Sequence, residues 1–319
     1  MPESFTKSNF SYGGQAVIEG VMMRGSKSLA VAVRNPKDEI IIHTEPLDPR
    51  IYGGRLARIP FVRGLTLLWD ALGLGIKSLM FSAEVALEEE KEEGADKVFE
   101  GPVQWATILL SLSFSVALFF VLPAFVGGQI EKMLGLDRAH LVSNIIEGLL
   151  RLLLLIGYIW LIGRLPDIKR LYGYHGAEHK TINAYEAGSE LTPESVAKHS
   201  LQHPRCGTAF LLTVVIISIL FFSLLPPMSI PVRVLSRIVF LPVVAGIAYE
   251  VIRFTARHQD KAVIRAITKP NLALQRLTTR EPDEGMLAVA IAAFKEVLAS
   301  EVEQPAEQPV AMTEVQAAD

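Results

Sequence analysis

A single cysteine among 319 residues leaves no disulfide framework to hold this chain together. Neither sign of charge is in excess: 31 Lys and Arg stand against 34 Asp and Glu, a formal net charge of −3. That balance excludes a strongly basic nucleic-acid binder, so no nucleic-acid partner is expected. No repeat at solenoid spacing is present. Gly13-Gly14 does not open a phosphate-binding loop, because no Gly-Lys-Ser/Thr follows it. Met1 to Phe10 is polar and reads as no secretory leader. Long-range disorder is excluded too, since 50% of the residues are hydrophobic and only 20% are charged.

The charge that is present is unevenly spread. Residues 101–163 and 207–249 carry only eight charged side chains between them, while the rest of the chain is charged like a soluble protein. Four stretches are long and apolar enough to cross a hydrocarbon core of roughly 30 Å. Val103 to Val126 and Thr208 to Leu225 are free of charge. Leu141 to Gly163 carries Glu147 and Arg151, four apart and so able to pair on one helix face. The fourth runs from Leu235 to Phe254 and contains Pro242 and Gly246. Lys and Arg crowd the segment between the second and third spans, and also flank the first and fourth. By the positive-inside rule the middle loop and both termini are cytoplasmic. The expected fold is a membrane protein, α-helical with about four transmembrane helices. A small N-terminal antiparallel β-sheet and a C-terminal helical cytoplasmic segment make it α+β.

The chain divides accordingly. Residues 1–59 hold the small sheet, with β-type runs at Gly13–Gly25, Leu29–Arg34 and Glu39–Thr44. Residues 60–100 form an amphipathic helical region, read either as a core helix or as one lying in the membrane interface. Its end, Glu88 to Glu93, reads as solvated. Hairpins of spans occupy 101–163 and 207–254, separated by a histidine-rich loop at 164–206. Residues 255–300 are helical, with an apolar stripe from Met286 to Leu298. The acidic tail 301–319 is expected to be disordered.

Chemistry concentrates in the middle loop, in Tyr174-His175-Gly176-Ala177-Glu178-His179-Lys180-Thr181. His175 and His179 share a helix face at i and i+4, a spacing that can hold one divalent ion. The order H-x-x-E-H is that of the inverted zincins, in which the Glu is the general base. Gly188 is placed to end this helix. Further candidate ligands are His203, Cys206 and Glu250, the last at the distance class of an inverted zincin's distal Glu. Glu178 and Arg205 are the candidate catalytic residues, as base and as stabiliser of a developing anion. Imidazole ligands favour zinc as the divalent metal. The opposing reading is that these histidines only bond carbonyls and water, and that Cys206 is an inert buried thiol.

With the stretches Gly13–Gly25, Tyr174–Thr181, His203–Thr208, Leu241–Glu250 and Leu274–Pro282, the sequence resembles the YqhQ family of bacterial multi-pass membrane proteins. That resemblance implies residence in the bacterial cell (inner) membrane and a metal-dependent enzyme of unspecified reaction. Three functional classes follow: a hydrolase-like metalloenzyme on the cytoplasmic face, a non-catalytic scaffold or assembly factor with membrane-protein partners, and a small transporter. The lipid bilayer is a partner in each.

Overall fold

The computed structural model describes residues 12–49, 59–86, 102–133, 135, 140–226 and 228–302. The acidic run 88–93 and the chain beyond 302 lie outside them. The expected strand over 13–25 is instead a hairpin. Strands β1 (Gly13–Val17) and β2 (Gly20–Arg24) pair with Val17 opposite Gly20, leaving Ile18 and Glu19 as a two-residue turn. Glu19, the second residue of that turn, takes a left-handed φ of +50°. Strands β3 (Ser28–Arg34) and β4 (Ile40–Pro46) complete an antiparallel sheet of order β1-β2-β3-β4. The turn between them is fixed by Asn35, whose Oδ1 accepts the Glu39 N–H at 2.8 Å.

Strands β2 and β3 are almost uniformly apolar because both faces of the sheet are covered. On one face Met22, Val31 and Val33 pack with Val85, Leu74 and Phe81 of α1 (Val62–Ala86). On the other, Val21, Met23, Ala30 and Ala32 join a core with Tyr174, Ala177, Phe294 and Val297. Those partners come from α5 (Pro166–Glu186) and α11 (Glu284–Val302). The predicted apolar stripe of the last helix is thus buried against the sheet, where Glu301 accepts from Ser26 N at 2.6 Å and Tyr12 Oη at 2.7 Å.

Among the described residues two helical stretches are long and apolar enough to cross a membrane, fewer than the four expected. The first, Trp105–Met133, joins α2 (Pro102–Val116) to α3 (Leu122–Met133) through a π-helical turn, Ala117–Val121. Pro123 has no N–H for the carbonyl four residues back, and Phe119 O instead accepts Arg151 Nε at 2.8 Å. The second, Val142–Ile162, lies within α4 (His140–Ile162). The expected third span ends early: α7 (Gly207–Ser223) stops at 17 residues, before Pro226. The expected fourth is broken. Helix α8 (Ile230–Val239) gives way to α9 (Leu241–Arg257), which starts around Pro242, and the pair is bent by 45°. Counted as one span, the pair raises the total to three.

Buried charges tie these helices together. Glu147 pairs with Arg151 at 2.9 Å, as its spacing predicts, and also with Arg237 of α8 at 2.7 Å. Glu131 accepts from Arg233 at 2.8 Å and from Ser143 at 2.6 Å. The remaining helices are α6 (Pro193–Val196) and α10 (Ala262–Thr278).

Candidate metal centre

Helix α5 begins with Pro166 in its first turn and ends where Gly188, at φ +71°, donates to Tyr185 O, as the sequence predicts. Nearly every side chain from Tyr172 to Ala184 is buried, because the sheet and α11 pack against the helix. Glycine makes this closeness possible. A Cβ at Gly176 would collide with the Arg280 carbonyl and fall 2.9 Å from Leu201 Cδ2.

The His175 and His179 rings meet edge to face, with centroids 4.4 Å apart. His175 Nδ1 lies 2.9 Å from Thr278 O, and His179 Nδ1 lies 2.5 Å from Leu201 O. A carbonyl only accepts, so both Nδ1 atoms carry the proton and both Nε2 atoms present lone pairs. This is how metal-ligating histidines are oriented in their second shell. His175 Nε2 lies 3.2 Å from Cys206 Sγ, while His179 Nε2 is buried without a hydrogen-bond partner. Ligand atoms of His175, His179 and Cys206 all lie within 4.8 Å of one another. Two ligands at zinc's usual N and S bond lengths stand about 3.5 Å apart, so the donor set fits the ion. Cys206 reaches the group as the N-cap of α7, where its Sγ also accepts the Thr208 N–H at 3.5 Å.

Glu178 borders the group, 3.9 Å from His175 Nε2. Burial pushes its carboxyl above the usual range, opposed by a hydrogen bond from the Gly14 N–H. Gly14 is close enough that a Cβ there would fall 2.9 Å from Glu178 Cγ. Gly14 of the first strand therefore serves the carboxylate of the His-Glu helix.

The other candidates are placed around this centre. His203 sits one ring further, its centroid 5.7 Å from that of His179. Its Nε2 accepts from Arg205 Nη2 at 3.3 Å, so that nitrogen is turned toward the cation. Burial, reinforced by the charge of Arg205, pushes the His203 imidazole down to about 3 and keeps it neutral. Arg205 is paired with Glu186, and its buried Nε has no hydrogen-bond partner. Glu250, expected as a distal ligand, is not brought to the group. It lies on α9, where Arg63 binds its carboxylate through Nε at 2.7 Å and through Nη2, and the Phe61 N–H donates at 3.2 Å.

Sequence reasoning assigned no role to Gln275, which is fully buried and clamps His203 through both backbone groups, at 2.9 and 2.8 Å. Its signal was present: Gln275 shares a helical face with Leu274 and Thr278, an unusual place for an amide.

The candidate site thus joins an α+β unit to apolar helices, with His175 and His179 on α5 and Cys206 at the start of α7. The chain belongs to the family described as protein of unknown function (DUF1385), whose model matches residues 59–300. It is 36% identical over 296 residues to the uncharacterized protein YqhQ of Bacillus subtilis (strain 168), covering 90% of this chain and 92% of that protein. The resemblance read from the sequence is therefore borne out. No solved structure matches.

Proposed function

We propose that the protein is a multi-pass cell-membrane metalloprotein whose centre faces the cytoplasm and performs hydrolysis. His175, His179 and Cys206 would hold a zinc ion, leaving a fourth position open as in catalytic zinc sites. When bound, zinc supplies Lewis acidity sufficient to bring the pKa of a coordinated water to near 7. Glu178 stands beside that position to hold or pass on a proton, and the Gly14 N–H keeps its carboxylate oriented. Arg205 and His203 support the wall behind His179.

The observation that carries this reading is the shared tautomer: two backbone carbonyls turn two imidazole lone pairs toward one thiol. For the membrane location, support comes from the apolar helices and from Trp160, over which Arg164 stacks at 3.4 Å at the end of α4. Elemental analysis of the purified wild type beside the His175→Ala/His179→Ala protein tests the reading. Stoichiometric metal, lost in the double variant, is expected. Wild type without metal after growth in metal-replete medium ends it.

A second reading has its own observation. His179 is 0% exposed and Cys206 7%, as in closed structural sites, and the metal would then brace a scaffold for membrane-protein partners. Glu178→Gln separates the two: it abolishes turnover with metal retained in the first, and leaves partner co-purification unchanged in the second.

A further inference from the structure

Helix α10 is docked over only part of its length. Its C-terminal half packs Leu274 with Leu155 and Ile159 of α4 and with Leu212 and Val215 of α7. Asn271 Nδ2 adds a bond to Thr213 Oγ1 at 3.2 Å. The helix therefore crosses the apolar helices beside the ends that carry the metal centre. Its N-terminal half faces outward: Val263 is 69% exposed and Ile267 60%. These two, with Ala266 and Pro270, form an apolar strip at helical spacing, and Lys261, Arg265 and Lys269 follow one another at i, i+4 along another side, all exposed. Between Val251 and Arg280 the chain has seven Lys and Arg and a single acid, Asp260. Phe254, near the end of α9, extends the apolar surface and is also exposed.

We propose that the first half of α10 is seated in the cytoplasmic headgroup layer and binds anionic phospholipids, an inference that rests on the membrane reading above. Two features select this occupant. The strip follows exposed Phe254 at the end of α9, part of the bent pair that is apolar enough to span when counted as one, which suits a seat where acyl chains begin. The adjoining cations complement the negative surface of a cytoplasmic leaflet and would be uncompensated against a neutral partner. The seat lies on the helix whose last turn supplies the Thr278 carbonyl to His175 and whose Gln275 clamps His203.

The test uses the full chain in nanodiscs of phosphatidylcholine mixed with phosphatidylglycerol. A benzophenone amino acid replaces Ile267 in one preparation and Leu153, 67% exposed on α4, in another. Irradiation should link both probes to phospholipid, with phosphatidylglycerol captured at position 267 beyond its share of the bilayer. Lys261→Gln, Arg265→Gln and Lys269→Gln together should reduce that enrichment at least about fivefold, the factor expected from one lost cation. Lipid capture at 153 in the same variant shows that it is still inserted. Capture at 153 with none at 267, linkage of 267 to a protein, or capture at 267 without headgroup preference overturns the proposal and leaves the membrane reading standing. No lipid at either position removes the membrane reading itself.

Discussion

The inward-facing atoms of the candidate centre are set by groups that have no side-chain identity of their own. Thr278 and Leu201 act through their carbonyls, and Gly14 through its N–H. The H-x-x-E-H spacing made His175, Glu178 and His179 legible in the sequence, because helical periodicity is local. The partnership of residue 14 with residue 178 was not legible, since it depends on a strand and a helix distant in sequence meeting edge to face. Gln275 offers a direct check at this scale. Gln275→Ala removes two buried hydrogen bonds and leaves the His203 N–H unsatisfied, while the His203 carbonyl keeps the Cys206 N–H. A loss of about 2–3 kcal/mol is expected in thermal unfolding of the purified protein. An unchanged Tm would show that the clamp is incidental.

His203 gives a pH prediction of definite sign. Its folded pKa is depressed to about 3 from an ordinary 6.5. Above 6.5 the imidazole is neutral in both folded and unfolded chains. As pH falls from 6.5 toward 3 the unfolded chain takes up a proton that the folded one resists, and stability declines. By pH 5 the loss from this group is about 2 kcal/mol. Melting curves of wild type between pH 7 and 5 should shift downward more than those of His203→Gln, and parallel shifts would contradict the assignment.

At the scale of elements, periodicity and composition located the helices but not their breaks. Pro123, Pro226 and Pro242 were visible in the sequence, yet their effects differ. The first is absorbed by a π turn whose freed Phe119 carbonyl meets Arg151, the second lies past the end of α7, and the third separates α8 from α9. Pairing of Glu147 with Arg151 followed from spacing alone, whereas Arg237 arrives from a helix 90 residues away. Glu147→Ala should therefore leave two buried arginines without their shared carboxylate. A loss of about 3–5 kcal/mol is expected in unfolding from lipid or detergent. A near-neutral result would mean that water already reaches this network.

At the scale of the molecule, the sheet, α5 and α11 form a unit with its own core, and α7 meets it at the candidate centre through Cys206. Charge distribution in the sequence implied this division, because apolar and charged stretches segregate by position. The proposed orientation rests on the same asymmetry. A cysteine introduced at Glu190, exposed in the middle loop, should resist an impermeant maleimide in intact cells and react in inverted vesicles. Labelling from outside would reverse the topology and place the centre on the other face.

The central claim concerns the three ligands, and cobalt substitution tests it most directly. Protein loaded with Co(II) in place of the native ion should show the intense visible absorption of a four-coordinate site together with a thiolate-to-cobalt charge-transfer band. Cys206→Ser should remove the charge-transfer band while cobalt stays bound through His175 and His179. A spectrum of six-coordinate cobalt, or a charge-transfer band that survives in Cys206→Ser, would contradict the assignment.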